Sequence, residues 1–126
     1  MSDYAGAIVL IDLRSGSTRR VTPPADATIY GIDGLTWADG SLIGVENGVE
    51  PARVVRLILS ADGTRIDRVT ILAMNHPKFA EPTIGVVAGQ DYYFIANSHG
   101  GMMRRAKGPL ADEPLTEPAV LRIRLK

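Results

Sequence analysis

The sequence predicts an all-β fold, and within that class a partial β-propeller, from three observations. Residues 38–47 align with residues 88–97 at a constant offset of 50 positions, so the chain contains an internal repeat. An apolar segment with strand-like alternation also recurs, at residues 7–13, 53–59 and 119–125. Gly, Pro, Asp and Asn punctuate these segments, and no long stretch has helical periodicity. A repeat of about 40–50 residues built from short strands is typical of propeller blades, which are four-stranded sheets that cover one another's faces.

Each strand is predicted from hydrophobic alternation and from the turn residues that bound it. The predicted strands, in chain order, are residues 6–13, 18–22, 34–38, 41–46, 53–60, 65–72, 83–88, 92–97 and 119–125. Pro23 and Pro24 end the second strand, because proline has no N–H to donate to a sheet ladder. Asp39-Gly40 is a two-residue hairpin signal between the third and fourth strands.

The order of these strands predicts incomplete blades at both ends. With strands labelled a to d from the propeller axis outward, the order is c-d, then a-b-c-d, then a-b-c. Residues 1–24 form an incomplete blade, residues 25–74 a complete one, and residues 75–126 a last blade without its outer strand. Such a chain cannot close a ring alone, and we expect it to expose faces and edges that pair with further blades or with another copy. A small β-sandwich is the alternative fold, but the element-by-element match of the repeats favours the propeller.

Composition excludes several classes of function. Lys plus Arg equals Asp plus Glu, so the net charge is zero, which argues against a nucleic-acid or acidic-membrane partner. The absence of cysteine excludes disulfides, thiolate metal ligands and a cysteine nucleophile. No apolar run approaches the roughly 18–20 residues that span a bilayer, and the N-terminus lacks the features of a secretory signal. The default expectation is therefore a cytoplasmic protein.

The propeller geometry predicts that polar residues gather at one end of the molecule, where inter-blade connections and b-to-c loops open on the same face. The residues expected there are Asp33, Asn47, Glu50, His76, Lys78, Glu81, Asn97 and His99. Asp39, Asp62 and Asp91 are expected in turns at the opposite end. Convergent polar groups at the mouth of a funnel are the usual candidate for a site, and their oxygen atoms suit a hard cation such as calcium. Because Asp and Asn also favour turns, a turn-forming role is the preferred interpretation of Asn47 and Asn97.

His76 and His99 are the only histidines. His76, in Asn75-His76-Pro77, is a candidate general base because histidine titrates near neutrality, and Glu81 is a second candidate for proton transfer. The alternative for His76 is a loop histidine that hydrogen-bonds to backbone. The glycine pair after His99 is too short to cradle a phosphate.

Two motifs carry a resemblance to a known family. With Ile32-Asp33-Gly34-Leu35 and Glu81-Pro82-Thr83-Ile84, the sequence resembles the C-terminal part of the regucalcin/gluconolactonase-like six-bladed propellers. In that family a Pro-Asp-Gly-hydrophobic motif opens the inner strand of the penultimate blade, and a Pro-Thr motif opens the last blade. The Gly89-Gln90-Asp91 turn, the strand after it and the final c-type strand at residues 120–123 follow the same layout.

The resemblance implies metal-dependent lactone hydrolysis, with a divalent cation (calcium or zinc) held by one Glu, two Asn and one Asp in a complete ring. Asp33 is the one residue that matches this quartet, and Ile32 replaces the proline before it. The Glu and both Asn would lie in blades upstream of those in this sequence, so no cation is expected to bind the isolated chain. In the isolated chain we expect the Asp33 carboxylate to accept hydrogen bonds from nearby backbone N–H groups.

Three functions remain open at this point. The first is a non-catalytic partial propeller that associates through its open blades, with the remaining blades or a homo-oligomer as partner. The second is a metal-dependent hydrolase of a small-molecule lactone or ester, completed by other blades, with Asp33 as metal ligand and His76 or Glu81 in proton transfer. The third is a ligand- or protein-binding propeller without chemistry.

Overall fold

The fold is all-β, as the sequence predicts, and consists of three consecutive antiparallel sheets. The computed structural model describes residues 1–101 and 116–126. Its strands are β1 (Ser2–Asp3), β2 (Ala7–Ile11), β3 (Thr18–Val21), β4 (Ile32–Ala38), β5 (Ser41–Glu46), β6 (Arg53–Leu59), β7 (Ile66–Met74), β8 (Gly85–Ala88), β9 (Asp91–Ile95) and β10 (Val120–Arg124). Sheet 1 has the order β1-β2-β3, sheet 2 the order β4-β5-β6-β7, and sheet 3 the order β10-β9-β8. Within the described residues none of these sheets closes into a barrel.

Local turn chemistry explains why neighbouring strands pair. Asp39 (φ 51°) and Gly40 (φ 76°) join β4 to β5, and a two-residue hairpin loop with positive φ at both positions matches the twist of the strands it connects. Gly89 (φ 61°), which corresponds to Asp39 in the repeat, joins β8 to β9. The strands lie where the alternation predicts them, with ends displaced by one to a few residues.

One strand was not expected from the sequence. Ser2–Asp3 pairs with β2 through Ser2↔Ile8 and Asp3↔Ala7, on the side of β2 away from β3. Sheet 1 therefore has a short third strand where the sequence predicts only two. A strand of two residues is too short to show alternation, which is the signal on which the prediction depends.

Two hydrophobic clusters bury both faces of sheet 2. Ile43 and Val45 of β5 pack with Tyr92 and Phe94 of sheet 3, and Val54 joins this cluster. On the other face, the second cluster contains Val55 and Leu57 of β6 together with Ile8, Val21, Ile29, Ile32 and Ile66. Because alternate residues of a strand point to opposite faces, one apolar strand supplies both clusters. Sheet 2 is thus the middle layer between sheets 1 and 3.

The first strands of sheets 2 and 3, β4 and β8, approach each other closely. The Thr36 hydroxyl of β4 donates to the carbonyl oxygen of Gly85 at 3.2 Å. A Cβ atom at Gly34 would lie 2.8 Å from the Cα of Ile84, so a glycine is needed for this approach. The end of β4 that carries Asp33 is therefore held next to the segment that enters β8.

The alternation of Trp37 with Leu35 along β4 predicts that Trp37 packs between blades, and the structure contradicts this prediction. The Trp37 side chain is 61% exposed. Trp37 pairs with Leu42, which packs toward the cluster shared with sheet 1, so both lie on the face of sheet 2 that sheet 1 covers. On the side of β2 away from β3, sheet 1 has only the two-residue β1. In the part of the chain described, no helix is long and apolar enough to cross a membrane.

Candidate functional site

A polar recess of about 320 Å³ lies where the three sheets meet, and Tyr4, Asp33, Asn47 and Glu81 line it. Asp33 stands at a β-bulge, since Ile32 pairs with Glu46 and Gly34 with Val45, which leaves Asp33 without a cross-strand partner. A bulge of this kind redirects one side chain out of the regular pleat. Asn47 directly follows β5, and Glu81 precedes β8 by a few residues.

Asp33 links sheet 2 to the start of sheet 3. Its Oδ2 accepts a hydrogen bond from Asn47 Nδ2 at 3.0 Å and another from the Thr83 hydroxyl at 2.5 Å. These donors are side chains rather than the backbone N–H groups expected from the sequence. The hydroxyl comes from a residue 50 positions away in the chain, and local sequence reasoning does not predict such a contact.

Asn47 bridges all three sheets with one amide group. Its Nδ2 donates to Asp33 and also to the carbonyl oxygen of Pro82 at 2.9 Å, and its Oδ1 accepts from the Tyr4 hydroxyl at 2.9 Å. The carboxylate of Asp33 and the carbonyl of Pro82 accept only, so they fix the orientation of the amide. The sequence suggested a turn-forming role for Asn47, whereas its side chain connects separate segments.

Asn97 occupies the equivalent position in the repeat, but its side chain bonds to the segment that leads into β10 of sheet 3. Its Nδ2 donates to the Thr116 hydroxyl at 3.0 Å and to the carbonyl oxygen of Glu117 at 2.8 Å, while its Oδ1 accepts from the Ala119 backbone at 2.6 Å. These bonds hold the segment that leads into β10. His99 Nε2 lies 3.0 Å from the same Thr116 hydroxyl, which places His99 in this network.

Glu81 has an unusual backbone conformation for a residue other than glycine. Its φ is 61°, and the residue at the equivalent position of the repeat is Gly31, with φ 70°. The backbone carbonyl oxygens of Gly31 and Glu81 accept equivalent hydrogen bonds. The N–H of Gly48 donates to Gly31 at 3.3 Å, and the N–H of Ser98 donates to Glu81 at 3.2 Å. The repeat therefore conserves the turn while it replaces glycine by glutamate. Non-glycine residues held at positive φ are often found at functional sites.

The candidate proton-transfer groups lie at the same end of the molecule. A second recess of about 260 Å³ is lined in part by Asn47, Glu50, His76 and Glu81, so it shares Asn47 and Glu81 with the first. His76 Nδ1 accepts from the backbone N–H of Lys78 at 3.1 Å, which leaves the proton of the neutral ring on Nε2. The Glu81 carboxylate accepts from the Gly101 backbone N–H.

The remaining members of the predicted polar group lie apart from these recesses. Lys78 and Asn97 line a third recess, beside residues 116–119. At the opposite end of the sheets, Asp39 pairs with Lys126 at 2.8 Å and Asp91 lies 3.5 Å from Arg124. The structure thus brings together Asp33, Asn47, Glu50, His76 and Glu81.

The described residues do not by themselves fit a divalent-cation site. Among residues 1–101 and 116–126, no group of three or more His, Asp or Glu side chains is arranged to hold a metal ion. A calcium ion takes about six to eight oxygen ligands, and Asp33 Oδ2 already accepts two hydrogen bonds. Further ligands would have to come from outside this set of residues.

A buried ion pair near the site was missed by sequence reasoning. Glu46, the last residue of β5, is fully buried, and it accepts a hydrogen bond from Arg53 at the start of β6. Burial raises the pKa of the Glu46 carboxyl above its ordinary value, and Arg53 opposes that rise. The two residues pair directly across the hairpin, so the available signal was opposite charge at facing positions of two adjacent strands.

No protein-family model, curated protein or solved structure matches this chain at a significant level. The fold and the site together define an all-β protein of three stacked antiparallel sheets with a polar recess at one end.

Proposed function

We propose that this chain is a partial β-propeller that is non-catalytic alone and associates with further sheets through the open faces of its terminal sheets. One observation carries the proposal: Val86 and Val120 are 61% and 64% exposed although both belong to strands of sheet 3. Ile84, at the entry to β8, is 59% exposed beside them.

The strand register places the exposed apolar side chains on one face. Val86 pairs with Tyr93, and Val120 pairs with Ile95. The open face of sheet 3 consists of Val86, Ala88, Asp91, Tyr93, Ile95, Val120, Arg122 and Arg124. No described residue outside sheet 3 belongs to a hydrophobic cluster on this face.

The opposite face of sheet 3 is apolar, and it packs against sheet 2 through Tyr92 and Phe94. On the open face, Asp91 and Arg124 lie beside the β8–β9 turn and Arg122 lies on β10, whereas Val86, Ile95 and Val120 form an apolar patch. An exposed apolar patch bordered by polar residues marks an interaction site. In addition, no described strand pairs with the outer edge of β10, so this sheet also offers an edge.

The test is the mass of the purified chain by size-exclusion chromatography with light scattering over a range of concentrations. Association should give a mass above the 13.5 kDa of one chain, and Val86→Arg should reduce it, because an arginine on the open face must be desolvated on contact. Ile71→Arg is the matched control, since Ile71 is an apolar strand residue of sheet 2 that is 48% exposed. A monodisperse monomer at all concentrations, unaffected by Val86→Arg, would contradict the proposal.

The second candidate is a metal-dependent lactone or ester hydrolase completed by further blades. The convergence of Asp33, Asn47 and Glu81 on one recess favours it. In that function Asp33 would be one of the residues that hold a divalent cation, the cation would polarise the carbonyl, and His76 or Glu81 would transfer the proton. Hydrolysis of a chromogenic lactone or ester by the assembled protein, with added calcium or zinc, tests it. Loss of turnover in Asp33→Asn with an unchanged circular dichroism spectrum is the supporting result; ligand binding without turnover points to a binding propeller.

A further inference from the structure

We infer that β10 binds an acidic peptide segment in extended conformation, which pairs with it antiparallel as a fourth strand of sheet 3. Among the described residues sheet 3 has three strands, and β10 has no partner on its outer side. The inference concerns this edge, whereas the proposed function depends mainly on the open face, so the two can be tested separately.

The repeat identifies β10 as the counterpart of β6. Residues 53–59 align with residues 119–125, and each segment pairs with the central strand of its hairpin, β6 with β5 and β10 with β9. In sheet 2 the other edge of β6 pairs antiparallel with β7. The corresponding edge of β10 pairs with no strand in the part of the chain that the structure describes. Sheet 2 therefore shows which kind of strand this edge can accept.

Two hydrogen bonds define which backbone groups lie on this edge. The Ala96 N–H donates to the carbonyl oxygen of Ala119 at 2.8 Å, and the Leu125 N–H donates to that of Gln90 at 2.9 Å. Because hydrogen-bonded pairs alternate along an antiparallel ladder, the odd-numbered residues of this segment bond to β9. The backbone groups that point to the outer edge therefore belong to Val120, Arg122 and Arg124. An extended peptide satisfies such a row of N–H and C=O groups by main-chain hydrogen bonds.

A strand added at this edge would also face β7. Arg56, the counterpart of Arg122, pairs with Thr70 of β7. The Arg56 guanidinium donates to the carbonyl oxygen of Leu125 at 2.9 Å, so this pair lies on the face of sheet 2 that points to sheet 3. Arg68 lies two residues along β7 on the same face, and both Arg68 and Thr70 are exposed. Sheet 3 therefore leaves this part of β7 uncovered.

Basic side chains surround the position of the added strand, which favours an acidic one. Arg122 and Arg124 of β10 are 64% and 61% exposed, and Arg68 of β7 is exposed. The carboxylate of Asp91 lies 3.8 Å from Arg122 and 3.5 Å from Arg124, so one negative charge faces two positive ones. Opposite charges at facing positions of adjacent strands stabilise a sheet, and like charges destabilise it. Two β10 edges would place like charges together, so the edge does not favour a second copy of itself.

Synthetic peptides that copy residues 66–75 test the pairing, because β7 is the strand that pairs with β6. The register of β7 on β6 places Thr70 opposite Arg122. Both peptides carry Arg68→Thr, which removes a like-charge contact with Arg124; one also carries Thr70→Glu and the other Thr70→Lys. Fluorescence anisotropy with the full chain should show saturable binding, about fivefold tighter for the Thr70→Glu peptide. The chain variant Arg122→Glu should reverse this preference.

N-methyl groups on alternate peptide residues distinguish the edge from the open face. In this register the N–H groups of peptide residues 68 and 70 bond to β10. Methylation of both should abolish binding, and methylation of residues 69 and 71 should leave it unchanged. The Val86→Arg chain, whose open face is blocked, should bind the peptide as the unchanged chain does. Hydrogen exchange should slow at the amides of Arg122 and Arg124 when the peptide binds.

Each outcome supports or overturns the inference. Absence of saturable binding of either peptide overturns it and leaves the proposed function standing. Binding that both methylated peptides retain, or that Val86→Arg abolishes, places the peptide on the open face and overturns the edge pairing. Equal affinity of the two peptides for the unchanged chain overturns the choice of an acidic partner. If circular dichroism shows that Arg122→Glu has lost its fold, Arg122→Gln replaces it and should bind both peptides equally.

Discussion

The buried pair of Glu46 and Arg53 allows the sharpest prediction. Replacing Arg53 by methionine keeps the long apolar stem and removes the charge, which leaves the carboxylate of Glu46 buried without its partner. Breaking a buried pair by removing one member costs about 3–5 kcal/mol. The lower value applies here, because the Arg53 side chain is 21% exposed and water partly screens the pair. We expect Arg53→Met to lose about 3 kcal/mol of unfolding free energy, or roughly 10 °C in melting temperature for a chain of this size.

The loss of unfolding free energy in Arg53→Met should increase with pH. The folded-state pKa of Glu46 is raised above the ordinary value of 4.5 by burial. The folded protein therefore binds a proton more readily than the unfolded chain, so this group contributes stability below its unfolded pKa and loses that contribution as pH rises through the folded pKa. Loss of Arg53 raises the pKa further, so Arg53→Met should be least destabilised in acid and most destabilised at neutral pH.

A double-mutant cycle measured by urea denaturation at pH 4 and pH 7 checks the reasoning. Glu46→Gln removes the buried charge, so the double variant Glu46→Gln/Arg53→Met should be more stable at pH 7 than Arg53→Met alone. If Arg53→Met costs less than about 1 kcal/mol at pH 7, or costs the same at both pH values, the pair does not behave as a buried ion pair.

Three further predictions concern the sheet junctions and the recess. Gly34→Ala should lose about 1–3 kcal/mol in urea denaturation, because its Cβ would meet the backbone of Ile84 at 2.8 Å; Gly44→Ala, whose Cβ would meet a side-chain methyl at 3.3 Å, should cost less. Asn97→Ala should lose about 2–3 kcal/mol, because it breaks three hydrogen bonds to residues 116–119, and hydrogen exchange should show the loss of protection first in β10; equal loss in every sheet would refute this account. Calcium or zinc should not raise the melting temperature of the isolated chain, and a rise that Asp33→Asn abolishes would show that Asp33 already binds a cation.

The strands could be predicted from the sequence because their signals are local. Hairpins such as β4–β5 depend on alternation and on the turn Asp39-Gly40, which are all close in the chain. The grouping of Asp33 with Glu81 at one end followed from loop positions alone. The hydrogen-bond partners of Asp33 could not be predicted, because its bond with the Thr83 hydroxyl depends on how sheets 2 and 3 pack together. The burial of Glu46 was not predicted for a similar reason, since it depends on how sheet 1 packs against sheet 2.

The arrangement of the three sheets as propeller blades stays a prediction, and so does the resemblance to the regucalcin-like family. Both depend on how sheets continue around an axis, which three sheets of one chain do not define. The exposure of Trp37 is the particular point at which the predicted packing of this side chain between blades was wrong.

The amide of Asn47 has a consequence for the order of folding. Each sheet is formed from strands that are consecutive in the chain, so most of the strand pairs close short loops and should form early; the exception is β9 with β10, which are separated by residues 96–119. The bonds from Asn47 to Tyr4 and to Pro82 span 43 and 35 residues, and they form only when three finished sheets meet. In a stack whose units contact only their neighbours, such bonds couple units that would otherwise open independently. A ligand of the recess would therefore bind the three sheets only when they are packed together. Its effect on the unfolding transition would report how cooperatively the three sheets unfold.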